Sequence, residues 1–282
     1  MTTSFVAFLN MRGIACASDT DMTLYALSKK EPVAIAVNPY SPIPWDNIIN
    51  AYLRHGDIPL HNNFSDYVRD FAEFLTTIES KKKWARLTIE EANVIFLGYG
   101  QDDLFPSAID AIVFLDKTSN RLNCQIDEEC HINHDKISYH INLGDIDNIL
   151  PALYGISFSA RDSLIDVSGK TDDFKNFKAR ITKALRKANC KVSLDNLPSC
   201  APPSFTKDLD DLQEEYQSQL NTGIDDFFIE DLVKAAETFI DANDQLEHLK
   251  GGGIDNPKKT KELAVITRTE GLVWIKHCLF GL

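Results

Sequence analysis

The first nineteen residues constrain this chain more than any other stretch. A hydroxyl pair, Thr2-Thr3, follows Met1; residues 5–10 alternate as a strand, Arg12-Gly13 turns, and residues 13–19 form a second strand ending in Ala17-Ser18-Asp19. Such a hairpin sets a threonine at the chain terminus beside a buried carboxylate. Methionine is usually trimmed before a small residue, which frees Thr2, and a free α-amine can act as base for the hydroxyl of its own residue.

Further along, residues 22–27 and 32–38 read as two more strands, so a sheet starts at once. Ser41-Pro42-Ile43-Pro44 punctuates the chain and opens a helix carrying Trp45, Ile48, Ile49 and Tyr52 at helical spacing, closed at Gly56. A second helix places Phe64, Tyr67, Val68, Phe71, Leu75 and Ile78 on one stripe. A second sheet begins with the strand 92–98, followed by a pair, 109–115 and 121–126, joined through a turn at 117–120. After a strand at 137–141, Gly144-Asp145 caps a helix running to about Tyr154. Amphipathic helices follow at 171–188 and 227–249, the latter presenting Phe228, Leu232, Ala236, Phe239, Asn243 and Leu246. Two closing strands, 263–267 and 271–276, turn at Thr269-Glu270-Gly271. Strands first, helices in the middle and strands last predict an α+β architecture of two antiparallel sheets covered by helices, not a doubly wound parallel sheet.

At 282 residues the chain is long enough for one large domain, 1–282, with an irregular acidic insertion at about 190–226. A net charge of -13 disfavours nucleic acid and anionic membrane surfaces as partners. Six cysteines without a C-x-x-C pair, no apolar run of membrane length and no signal-peptide pattern predict a cytoplasmic protein without a disulfide scaffold.

Four blocks spread along the chain resemble the bacterial proteasome β-subunit-like family of the N-terminal nucleophile hydrolase superfamily. They are the first hairpin, Glu31 to Val37 with Ile43 to Ile49, Phe96 to Ser107, and the closing pair Leu263 to Ile266 with Gly271 to Lys276. The resemblance implies a four-layer αββα sandwich, self-association into a ring or dimer, and, in active members, attack of a threonine hydroxyl on a peptide or amide carbonyl. In that family the threonine precedes an aspartate by sixteen positions, which here pairs Asp19 with Thr3, since 19 minus 3 is sixteen. Removal of Met1 alone would expose Thr2, and a one-residue slip in a strand turns a side chain to the opposite face. The family's lysine on the next strand is replaced by Thr23, with Lys29 or Lys30 as the nearest substitutes.

Two functions are therefore expected. The first is a divergent, non-catalytic member acting as an interaction and assembly module. The second is an active threonine amidohydrolase or peptidase using Thr2 or Thr3, Asp19 and Lys30. Neither needs a cofactor. Cys124, Cys130, His131 and His134 are soft and imidazole ligands, but their spacing matches no zinc pattern and the segment reads as a solvated hairpin connection. Gly251-Gly252-Gly253 lacks the Lys-Ser/Thr of a phosphate loop and reads as a helix stop. Asp102-Asp103 and Asp210-Asp211 read as solvated pairs, because adjacent side chains do not face the same way.

Overall fold

The structure is a computed structural model and describes residues 4–19, 23–55, 60–78, 91–116, 118–119, 121–144, 222–250 and 261–276. The chain divides into two units, Met1–Ile146 with Asn221–Leu282, and Asp147–Leu220, and every described residue belongs to the first. The helices expected up to 154 and over 171–188, most of the 190–226 insertion and the Gly251 turn lie outside the described residues.

Ten strands and three longer helices are described. The strands are β1 (Ser4–Asn10), β2 (Gly13–Ser18), β3 (Leu24–Ala26), β4 (Val33–Val37), β5 (Ala92–Gly98), β6 (Ser107–Asp116), β7 (Arg121–His131), β8 (Ser138–Gly144), β9 (Glu262–Thr267) and β10 (Gly271–Lys276). The helices are α1 (Trp45–Arg54), α2 (Phe64–Thr77) and α3 (Ile229–Lys250). Two five-stranded sheets result, ordered β10-β9-β2-β1-β8 and β3-β4-β5-β6-β7. All their pairings are antiparallel.

Period-two alternation decides what each strand face buries. In β1 and β2, Phe5, Ala7, Leu9, Ile14 and Cys16 share a core cluster with Ala34, Ala36, Ile95 and Leu97 of the other sheet. The opposite faces of β4 and β5 present Val33, Ile35, Val37, Val94 and Phe96 to the apolar stripes of α1 and α2. Both strands are buried on two sides, which explains their unbroken apolar composition. The even face of β1 meets α3, where the Phe8 and Phe239 rings lie 5.2 Å apart and Leu232, Ala236 and Ile240 are buried.

Several sequence expectations need correction. Strands β3 and β4 join the second sheet, not the first, because β4 pairs with β5 rather than with β2. Phe228 is 58% exposed instead of facing the core, and the Arg12 guanidinium lies 4.3 Å over its ring. Asp103 is no solvated carboxylate: its Oδ2 accepts from the amides of Gly100 at 2.7 Å and Phe64 at 3.0 Å. That second bond satisfies a donor at the start of α2, a position where negative charge is favoured.

The segment expected to be a hairpin connection instead continues β7 to His131. A bulge between Asp110 and Ala111 takes Asp127 out of register and inverts the alternation of β7. Cys124 therefore packs with the α1 and α2 cluster and Cys130 with the cluster between the sheets. The two thiols face opposite ways. Among the described residues no three His, Cys, Asp or Glu side chains converge as metal ligands, and no helix is long and apolar enough to cross a membrane.

Candidate functional site

The end of the first sheet where β1 begins and β2 stops is unusually polar for a buried region. Ser4, Ser18, Asp19, Thr23, Asn243 and Glu262 are each no more than 2% exposed. They arrive from β1, β2, the start of β3, α3 and β9. Burying so many polar groups is tolerable only when they bond one another.

The network has two branches. On the first, Asp19 Oδ1 accepts from the Ser4 amide at 2.7 Å, and the Asp19 amide donates back to the Ser4 carbonyl at 3.1 Å. The Ser4 hydroxyl accepts from Asn243 Nδ2 at 3.0 Å, which ties α3 to the same point. On the second branch, the Ser18 hydroxyl donates to Thr23 Oγ1 at 3.0 Å, and the Thr23 amide lies 3.3 Å from Glu262 Oε2. Glu262 stands opposite Ser18 in the β2–β9 register. Two carboxylates thus meet three hydroxyls and an amide, and none of the buried polar side chains among the described residues is a lysine or arginine.

The sequence-derived residues are distributed unevenly about this network. Asp19 lies on its first branch, fully buried and bonded to the Ser4 backbone. Thr2 and Thr3 are outside the described residues. Lys30 is exposed in the turn between β3 and β4, with its amide donating to Ser28 Oγ at 3.2 Å. Since Thr23 precedes β3 and Lys30 follows it, Lys30 belongs to the other end of that hairpin. The structure does not bring Lys30 to Asp19.

Glu262 and Asn243 escaped the sequence reading, because each lies 239 residues from its bonding partner, Thr23 or Ser4, and only sheet order and helix packing join them. A shallow crevice beside the network, with no room for even a water-sized sphere, is lined by Phe5, Cys16, Ser18, Leu24, Glu262 and Trp274. Small-molecule pockets run to ~300–1,000 Å³, so this crevice does not enclose a substrate. Burial pushes the Cys16 thiol well above its ordinary range, which leaves it un-ionised and inert.

A second polar chain lies at the far edge of the other sheet. Ser107 Oγ is 2.8 Å from His131 Nδ1, His131 Nε2 is 3.3 Å from Glu129 Oε2, and Ser65 Oγ donates to that same carboxylate oxygen at 3.2 Å. The order of groups is that of a nucleophile, base and acid. Yet Ser107 is only 2% exposed, so a carbonyl cannot reach its hydroxyl. The chain of bonds ties β6, β7 and α2 together.

Fold and site together define an antiparallel α+β protein in which hydroxyls and carboxylates are gathered at the end of its first hairpin. No protein-family model and no curated protein matches the chain. Among solved structures it is similar to Anbu (ancestral beta-subunit) from Yersinia bercovieri, at 10% identity and a TM-score of 0.33, over 80% of this chain and 98% of that chain. It is also similar to an Anbu mutant from Hyphomicrobium sp. strain MC1, at 15% identity and a TM-score of 0.27, over 49% of this chain. The chain spans 60% of the length of that second protein. Both likenesses are distant.

Proposed function

We propose that this chain is a divergent proteasome β-like protein with a four-layer αββα arrangement, whose catalytic end has become structural and which acts as an interaction and assembly module. The observation that carries the reading is the environment of Thr23. This residue stands where the resembled family has its lysine, and its hydroxyl is tied to Ser18 while its amide faces Glu262. A lysine there would lower the pKa of a nearby terminal amine, whereas the neutral Thr23 hydroxyl carries no charge with which to do so. Asp19 meanwhile spends Oδ1 on the Ser4 backbone, as a strand-end anchor does.

The second reading, an active threonine amidohydrolase, is favoured by one observation. Asp19 is buried at the end of the β1–β2 pair, sixteen positions after Thr3. Fluorogenic peptide and amide substrates separate the two when the full chain is compared with Thr2→Ala and Thr3→Ala. The expected result is no turnover above that of either variant. Turnover lost in one variant and kept in the other would establish the nucleophile and overturn the non-catalytic reading.

Assembly is tested independently by light scattering. A species well above the 31.7 kDa chain mass is expected. A monomer at every concentration would remove self-association from the account.

A further inference from the structure

Asp110 and Glu128 are direct cross-strand partners in β6 and β7, at the point where the register slips to admit Asp127. Ile109 and Ala111 pack toward α1 and α2, while Ala108 and Cys130 face the core between the sheets. Alternation therefore directs Asp110 and Glu128 to the rim of that inter-sheet core. On β5, the residue paired with Asp110 is apolar Ile95. Glu128 Oε1 accepts from the Tyr139 hydroxyl at 3.0 Å. Tyr139 lies on β8, an edge strand of the other sheet, and is partly buried against the same core. This hydrogen bond joins edge strands of the two sheets. The Lys136 ammonium, from the segment before β8, sits 4.1 Å over the Tyr139 ring.

We propose that Asp110, Glu128 and Tyr139 form a proton-operated latch that closes the β7 edge of one sheet onto the β8 edge of the other. Like charges directly opposite on paired strands repel. With both carboxylates ionised, Asp110 pushes against the residue that holds Tyr139. A protonated Asp110 removes that repulsion and can donate to Glu128, leaving Oε1 to accept from Tyr139. Burial, and then the charges of Asp127 and Glu128, raise the Asp110 carboxyl from 3.8 to about 6, although a bond from the Ala111 amide opposes the shift. Because folding raises this pKa, the stabilisation is fully present below the unfolded value near 3.8 and is lost as pH rises through about 6. The latch closes on acidification and loosens toward neutrality. It does not depend on the proposed function, since none of its groups belongs to the Asp19 network.

Hydrogen exchange of the full chain, corrected for the intrinsic pH dependence of amide exchange, tests it. Protection of β7 and β8 is expected to rise roughly tenfold from about pH 7.5 to about pH 5, the worth of one pKa unit retained after solvent screening. Asp110→Asn, which preserves shape, should hold both strands at high protection across that range. Tyr139→Phe should keep the pH response of β7 but uncouple β8 from it. A wild-type profile flat with pH, or an Asp110→Asn profile as steep as the wild type, would overturn the latch.

Discussion

Gly98→Ala is expected to remove about 3–5 kcal/mol of stability, a large fraction of the ~5–15 kcal/mol that holds a domain folded, because strain and collision coincide at one Cβ. Gly98 has φ +151, a conformation that side chains of L-residues rarely adopt. A Cβ added there would strike the Pro32 carbonyl oxygen and approach the Val33 Cα to 2.9 Å. Both neighbours are backbone, fixed by the β4–β5 ladder, so neither can rotate aside. β5 is also the central strand of its sheet, and a shift there would disturb β4 and β6 together. Gly271→Ala is the matched control: its φ is +72, but nothing lies within 4 Å of the added Cβ. That change is expected to cost ~1–2 kcal/mol, from the left-handed conformation alone. Urea unfolding midpoints compare the two, and equal losses would show that the contact with Pro32 contributes nothing.

Asp19→Ala carries the second large effect. It strips the Ser4 amide of a buried charged acceptor at 2.7 Å. Losing such a bond and leaving a donor unsatisfied costs about 2–3 kcal/mol. Asp19→Asn retains an oxygen for the same amide and should cost distinctly less. The pair of variants discriminates between roles: a strand-end anchor is rescued by asparagine, whereas a carboxylate needed for its charge is not. Equal destabilisation by Ala and Asn would show that the charge of Asp19, not its bond to Ser4, is what the network requires.

Much of this arrangement is legible in the sequence where periodicity alone decides structure. The β1–β2 hairpin, the stripes of α1 and α2, and the closing strands β9 and β10 all follow from alternating or helical apolar spacing. Partner choice is not so encoded. Nothing local tells β4 to pair with β5 rather than β2, since its Val, Ile and Ala side chains suit either sheet. Nor is a bulge visible in Asp127-Glu128-Glu129, although that one extra residue decides that Cys124 and Cys130 diverge. Phe228 looks like the first turn of an apolar helical face, but the helix starts only at Ile229 and Phe228 stays outside it beneath Arg12.

Site legibility divides along the same line. Asp19 could be singled out because its position on the hairpin is fixed by strand length and a short turn. Glu262 and Asn243 could not, because their places depend on β9 pairing with β2 and on α3 crossing β1, both closures over more than two hundred residues. These distant residues change the chemistry most. They bring a second carboxylate and a side-chain amide into the buried polar network at the end of the first hairpin.

The most direct test of the proposed non-catalytic reading is the intact mass and N-terminal sequence of protein purified from its own cells, before and after treatment with a threonine-reactive epoxyketone. A structural network predicts that the mass does not change on treatment, whatever residue the chain begins with. A free Thr2 or Thr3 that gains one inhibitor mass would contradict it and establish a live nucleophile beside Asp19.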